Sequence, residues 1–269
     1  MTSPVRKAHA AGSFYPREPD ALRDYLRHQL TPKDPAVNVR AVIVPHAGYL
    51  YSGQTAGEVF CRVKVPSTAL ILGPNHRGEG ADFALYPEGS WETPLGPVGI
   101  NRDFAAGLLK ASDDLCSDPR AHEKEHSLEV EVPFLRYLNP KVEIVPLAIG
   151  TTDFDRVRRL AFSVLEFLKA QPDFLIVAST DMSHYESDEA TRKKDRYALE
   201  AIEALDAEAL VKAARQYFIS MCGIVPVYLA LLLAKGLGAQ KAELINYRTS
   251  ADANQDRERV VGYAGFIIP

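Results

Sequence analysis

Apolar and polar positions along the chain alternate between two patterns, one typical of strands and one typical of helices. Short continuous runs of β-branched residues bounded by glycine or proline predict buried strands, and apolar residues three or four positions apart predict amphipathic helices. We predict strands at 39–44, 68–72, 142–149, 174–179, 243–249 and 260–268, with short strands or a hairpin within 83–100. We predict helices at 19–30, 54–63, 101–111, 127–138, 154–170, 188–205, 207–215 and 223–235, with Asp20 and Asn101 as N-caps of the first and third.

Strands that alternate with helices predict an α/β fold in which helices cover both faces of a sheet. The last two strands lie close together in sequence, so part of the sheet should be antiparallel. We therefore expect a three-layer sandwich around a mixed central sheet. Because no repeat, linker or shift in composition divides the chain, we expect one domain over residues 1–269.

Composition and charge exclude several classes of protein. The 269 residues include 46% hydrophobic and 25% charged side chains with a net charge of -4, and no basic block suggests nucleic-acid binding. The longest apolar run, 224–234, is shorter than the roughly 20 residues that cross a bilayer, so it predicts a core helix. The N-terminus has no apolar signal-peptide segment, and three widely spaced cysteines favour a reducing compartment. We expect a cytoplasmic protein with no membrane and no nucleic-acid partner.

Three predicted strands each lead directly into a histidine. VIV is followed by Pro45 and His46, ALIL leads to His76, and FLIVAS leads to His184. Ligands of open α/β sheets bind in the crevice beyond the carboxyl ends of the strands. If these strands are parallel, the three histidines converge at one edge of the sheet.

Cys222 directly precedes the apolar helix predicted at 223–235. A helix N-terminus lowers the pKa of a thiol, so Cys222 is a candidate thiolate, with a buried core cysteine as the alternative. Two imidazoles and one thiolate suit Fe(II), copper or zinc. Asp181 and His184 would then be left as acid and base groups beside the metal.

The sequence HEKEH at 122–126 matches the HExxH pattern of zinc proteases. The protease pattern requires a buried helix, whereas Lys124 and Glu125 occupy its variable positions here. We therefore expect His122 to be solvated. His126 adjoins an apolar stretch and should face a pocket.

Six ordered blocks resemble the Memo family, whose bacterial and archaeal members are often called AmmeMemoRadiSam system protein B. The resemblance extends over nearly the whole chain. The blocks are AGSFYP (11–16), VPHAGYLYSG (44–53), LGPNH (72–76), EHSLEVEVPFL (125–135), STDMSHY (179–185) and MCGIVPV (221–227).

The resemblance implies a fold similar to class III extradiol dioxygenases. It further implies that His46, His76 and Cys222 are metal ligands. The thiolate departs from the glutamate ligand of those dioxygenases, which argues against ordinary catechol cleavage. The remaining residues that the resemblance assigns to the site are His184, Asp181 and His126 as catalytic groups, and Tyr51 and Tyr15 as substrate-binding groups; Phe14 stands where some members carry tryptophan.

Three functions remain open from the sequence. The first is a metal-dependent redox enzyme, with Fe(II) favoured and copper or zinc as alternatives, acting on a small or peptide-linked substrate. The second is a non-catalytic module that binds metal or peptide, and the third is a zinc-dependent hydrolase. The resemblance also implies radical-SAM and AMMECR-type partner proteins.

Overall fold

The computed structural model describes residues 4–31 and 35–269 and contains the predicted elements in the predicted order. Two single turns of 3-10 helix, Pro119–His122 and Glu129–Glu131, accompany the longer elements. The strands are β1 Val5–Arg6, β2 Ala41–Val44, β3 Thr68–Pro74, β4 Phe83–Leu85, β5 Ser90–Trp91, β6 Val98–Gly99, β7 Cys116–Ser117, β8 Glu143–Ile149, β9 Leu175–Ser179, β10 His184–Glu186, β11 Glu243–Thr249 and β12 Val260–Ile268. The helices are α1 Pro19–Gln29, α2 Tyr49–Phe60, α3 Arg102–Ala111, α4 Val132–Leu138, α5 Phe154–Lys169, α6 Asp188–Glu203, α7 Ala207–Tyr217, α8 Ile224–Gly236 and α9 Ala251–Asn254.

The central sheet is mixed, as predicted. Its strand order is β10-β12-β2-β9-β3-β8-β4-β7, and β11 also pairs with β12. Strands β2, β9, β3 and β8 are parallel to their neighbours within this group, whereas β12 is antiparallel to β2 and β4 is antiparallel to β8. The carboxyl ends of β2, β9 and β3 therefore lie side by side at one edge.

Helices cover both faces of this sheet because its central strands are apolar on both sides. Val42 and Val44 of β2 belong to the hydrophobic cluster that includes α1, α2 and α4. Ala41 and Ile43 point to the opposite cluster, which includes α3 and α5–α8. The expected three-layer sandwich is confirmed.

Two helix starts differ from the prediction. Helix α1 begins after Glu18, and Asp20 lies in its first turn rather than at its N-cap. Helix α2 begins at Tyr49, five residues before the predicted start at 54. Gly53 lies inside this helix and allows close packing on α1, because a Cβ there would lie 2.1 Å from the Tyr25 hydroxyl. Because the helix begins this early, only Ala47 and Gly48 separate His46 from α2.

The segment predicted as one helix at 127–138 is divided. A 3-10 turn at Glu129–Glu131 precedes α4, and Pro133 occupies the first turn of that helix, where its missing N–H costs nothing. Asn101 caps α3 as predicted, since its side chain accepts a hydrogen bond from the Phe104 N–H.

Helix α8 is buried among the core helices, as its apolar run predicts. Among the residues that the structure describes, no helix is both long and apolar enough to cross a bilayer. No disulfide joins the three cysteines, all of which lie in the described ranges.

Candidate metal centre

The ends of β2 and β3 bring His46 and His76 together over the end of β9. Val44 of β2 pairs with Ser179, the last residue of β9, so His46 lies opposite Asp181. The His46 N–H donates to Asp181 Oδ1 at 2.9 Å. The predicted convergence of strand ends is thus found for these two histidines, whose ring centroids are 5.1 Å apart.

The third member of the cluster is His126. One ring nitrogen from each of His46, His76 and His126 lies within 4.8 Å of the other two, which is close enough to share one metal ion. His126 precedes the 3-10 turn at Glu129–Glu131, and its ring stacks on that of His76 at 4.9 Å. His184, the third histidine at a strand end, is not part of this group.

A buried carboxylate orients His76. Glu125 accepts hydrogen bonds from His76 Nδ1 at 2.9 Å, from the His76 N–H at 2.6 Å and from the Ser127 N–H at 2.9 Å. Burial raises the pKa of Glu125, but the hydrogen bonds and charge of His76 outweigh it and hold the pKa at about 2. Because Nδ1 is engaged by the carboxylate, Nε2 of His76 is left to bind a ligand.

Ser179 orients His46 in a similar way. Its hydroxyl lies 2.7 Å from the Ser127 carbonyl oxygen, 2.9 Å from His46 Nδ1 and 3.0 Å from Glu131 Oε1. The Ser127 carbonyl can only accept, so Ser179 donates there and accepts the Nδ1–H of His46. His46 Nε2 therefore carries the lone pair. Burial, followed by the charges of His76 and His126, lowers the pKa of His46 and keeps this ring neutral.

His126 is held by stacking. Phe14 covers one face of its ring at a centroid distance of 4.3 Å. Its Nδ1 is buried without a hydrogen-bond partner among the described residues and lies 3.4 Å from Glu125 Oε1. Burial lowers the pKa of His126 to about 4. A neutral imidazole with an unpartnered buried nitrogen fits a metal ligand.

Cys222 lies two residues before α8 and contacts the histidine cluster at His46. Its Sγ lies 3.2 Å from His46 Nε2 and accepts a hydrogen bond from the Asp181 N–H at 3.3 Å. The prediction of a lowered thiol pKa is wrong. Burial, followed by the charge of Asp181, raises the pKa of Cys222 to about 12. The thiol therefore adjoins the histidine cluster in its protonated form.

Asp181 contacts Cys222, and His184 contacts Ser220, two residues earlier in the chain. His184 Nδ1 donates to the Ser220 carbonyl oxygen at 3.0 Å, which leaves Nε2 as a proton acceptor. Burial raises the pKa of Asp181 to about 6, opposed by the hydrogen bond from His46 and the charge of His184. The acid and base roles expected for this pair stay predictions.

The two expected substrate-binding tyrosines have different environments. Tyr51 lies in the first turn of α2 and is 37% exposed. Tyr15 is buried and donates its hydroxyl to Glu129 at 2.7 Å. The hydroxyl of Tyr15 is thus engaged within the protein, and a substrate contact for either residue stays a prediction.

Comparison with known proteins identifies the family. Residues 6–267 match the family model described as Memo-like protein. The chain belongs to the Memo-like family. A MEMO1 family protein of Aquifex aeolicus is 40% identical over 267 residues, covering 98% of this chain and 99% of the relative. A MEMO1 family protein of Methanopyrus kandleri is 36% identical over 278 residues, covering 98% of each chain.

A solved structure also shares the fold of this Memo-like protein. The crystal structure of an uncharacterized protein from Escherichia coli K12 superposes with a TM-score of 0.52 and covers 84% of this chain and 99% of that chain. Its sequence identity of 13% supports a common fold alone.

The HEKEH segment of this Memo-like protein does not form a zinc-protease helix. The 3-10 turn ends at His122, and only His126 joins the histidine cluster. The expectation that His122 is solvated is wrong. Its ring is fully buried against Tyr86 and Trp91, and its Nε2 donates to the Ala84 carbonyl oxygen at 2.9 Å. Residues distant in sequence cover it, so its polar neighbours gave no indication of burial.

The buried His122 should make stability of the Memo-like chain dependent on pH. Burial lowers its pKa from 6.5 to about 4 in the folded state. The unfolded chain therefore binds more protons between these values, so stability is complete above the unfolded pKa and falls as the pH drops. We expect protonation of His122 to lower the free energy of unfolding by about 2 kcal/mol between pH 7.5 and pH 5. Urea unfolding at both pH values would measure the loss.

His122→Gln is the control for this effect, because glutamine retains an N–H donor but does not titrate in this range. The variant should lose less stability than the wild type between the two pH values. Equal losses in the two proteins would contradict a titrating His122.

Three residues that organise the Memo-like site were missed at the level of sequence. Glu125 appears in the sequence as a polar position of HEKEH, and an acidic residue beside a pocket histidine is a usable signal. Ser179 is the last residue of a strand whose neighbouring strands end in histidines. Glu131, which contacts Ser179, gave no signal beyond its place in an apolar stretch.

Proposed function

We propose that this protein is a metal-dependent redox enzyme, with Fe(II) as the favoured metal and a small or peptide-linked substrate. The observation that carries the proposal is the cluster of His46, His76 and His126 with Cys222 beside it, at the carboxyl edge of the central sheet. Ligand sites of α/β sheets occur at this edge.

The residues fit a transition metal. His46 and His76 each have one ring nitrogen engaged by Ser179 or Glu125, so the other nitrogen is presented in a fixed orientation. We assign His46, His76 and Cys222 as ligands, with His126 as the neighbouring pocket histidine or a further ligand. Metal binding would release the thiol proton of Cys222, and imidazole and thiolate together suit iron, copper and zinc, and not magnesium or calcium.

A bound iron or copper would supply electron transfer and polarise an oxygen-bearing substrate. The protein's own groups would move the proton. His184 Nε2 accepts a proton from the substrate hydroxyl, while its Nδ1–H stays on the Ser220 carbonyl. Asp181 stabilises the resulting imidazolium by its charge. Tyr51, at the exposed start of α2, would contact the substrate.

Metal content measured by elemental analysis tests the proposal. Untagged protein purified anaerobically should contain about one iron or copper per chain, and His46→Ala and Cys222→Ser should lose it, because each variant removes a donor from a three-ligand site. The bound metal should cycle between two oxidation states on addition of ascorbate and ferricyanide. His126→Phe retains the stack on Phe14 and reports whether this histidine is a further ligand.

Each alternative gives a different result. Stoichiometric zinc, absent from both variants and inert to reductant, would replace the redox proposal with a hydrolase. Protein without metal would favour a binding module. Full iron content in Cys222→Ser would remove cysteine from the ligand set.

The proposal includes association with radical-SAM and AMMECR-type proteins, which is supported by the family resemblance. Copurification of separately expressed candidates with this chain would test it. Elution of each protein on its own in size-exclusion chromatography would contradict it.

A further inference from the structure

A buried ion pair lies behind the loop that carries His126. Arg6 Nη1 and Glu129 Oε2 are 2.6 Å apart, and their side chains are only 3% and 1% exposed. Replacing a buried ion pair with apolar residues is often neutral or stabilising, so such a pair is weak evidence for stability. Its contacts point to a different role.

The Glu129 carboxylate collects donors from the N-terminal segment, defined here as residues 6–15. It accepts hydrogen bonds from the His9 N–H at 3.1 Å, the Ala10 N–H at 2.8 Å and the Tyr15 hydroxyl at 2.7 Å, in addition to Arg6. This segment also contains Phe14, whose ring stacks on His126. The Glu129 carboxylate therefore holds in place the segment whose Phe14 ring covers His126.

The remaining donors of Arg6 fix the loop at 122–129. Its Nε donates to the His122 carbonyl oxygen at 2.6 Å, and its Nη2 donates to the Glu125 carbonyl oxygen at 2.7 Å. Its guanidinium stacks over Trp91 at 4.2 Å. Glu125 is the residue that orients His76. Arg6 thus bridges two backbone positions of the loop and the carboxylate of Glu129.

We propose that Arg6 and Glu129 are positioning residues that hold the loop 122–129 and the N-terminal segment together, so that His76 and His126 are prearranged for the metal. The inference rests on the proposed metal function. Only the planar fork of arginine can serve these three acceptors at once, because lysine presents a single point charge. Loss of a direct hydrogen-bond partner of a metal ligand typically weakens metal affinity by about 10- to 100-fold, and Arg6 and Glu129 act one step further out, through Glu125 and Phe14.

Two measurements on Arg6→Met and Glu129→Gln test the proposal. In metal-free protein, amide hydrogen exchange in peptides covering 122–129 should accelerate at least about tenfold, because the loop loses its bridge. Titration with Co(II), followed by its visible spectrum, should show binding weakened up to about tenfold, the lower end of the range for a direct partner, and an altered spectrum. Arg6→Lys, which retains the charge, should show the same changes and serves if the other variants fail to fold.

The matched control is Arg248→Met, which breaks a different arginine–glutamate pair, Arg248–Glu58. It should leave exchange at 122–129 and the Co(II) spectrum unchanged. The proposal would be overturned if the Arg6 variants fold, exchange their amide hydrogens at 122–129 as slowly as the control, and bind Co(II) as tightly as the wild type. If the wild type takes no Co(II), the proposed metal function fails, and loop exchange alone then supports or overturns the positioning role.

Discussion

Glu125→Gln should weaken metal binding about 10- to 100-fold and lower the free energy of unfolding by about 2–4 kcal/mol. The carboxylate, which has no solvent exposure itself, receives three N–H donors, two from His76 and one from Ser127. Glutamine has the same shape but only one acceptor oxygen. In either orientation of the amide, its NH2 group would face one of the two N–H donors of His76, and His76 would lose one of the two bonds that fix its orientation.

Competitive Zn(II) titration would measure the change in affinity, and urea unfolding would measure the stability. Glu123→Gln is the control, since Glu123 is exposed in the same loop and the charge change is identical. The control should retain wild-type affinity and stability to within about 0.5 kcal/mol. Equal affinity for wild type and Glu125→Gln would show that His76 does not depend on this carboxylate.

Gly223→Ala should destabilise the protein by about 3 kcal/mol and reduce metal content. A Cβ at this position would lie 2.3 Å from the Ser179 carbonyl oxygen and 2.5 Å from Thr180 Cβ. Neither atom is at the end of a flexible side chain, so α8 or the end of β9 has to shift. Either shift moves Cys222 away from His46.

Urea unfolding with elemental analysis of the same sample would test this prediction. Gly99→Ala is the control, because its new Cβ would lie 3.5 Å from the nearest atom, an ordinary contact with the Glu143 side chain. A Gly223→Ala protein with wild-type unfolding and full metal content would contradict the close packing of α8 on β9.

The sequence predicted the parts of the site that depend on local pattern. His46 and His76 each lie two residues beyond the end of their strand, β2 or β3, and a general rule for α/β sheets places such positions at one edge. Asn101 is predictable for the same reason, since a cap depends on a few adjacent residues. The layers and the mixed character of the sheet also follow from the alternation of elements, whereas the strand order does not.

The remaining contacts depend on residues far apart in the chain. The bond from His76 to Glu125 spans 49 residues, and that from His46 to Ser179 spans 133, so neither leaves a local pattern. His122 was placed in solvent for the same reason. For Cys222, the helix N-terminus was the visible influence, but burial of the sulfur has the larger effect on its pKa.

The cluster is assembled from sequence positions 46, 76, 126 and 222, and this separation links metal occupancy to folding. An unfolded chain does not present these groups together, so an ion that binds them acts on the native state alone. At a free concentration 100 times its dissociation constant, such an ion would add about 2.7 kcal/mol to the free energy of unfolding. The temperature of unfolding would then rank candidate ions by affinity without any knowledge of the substrate.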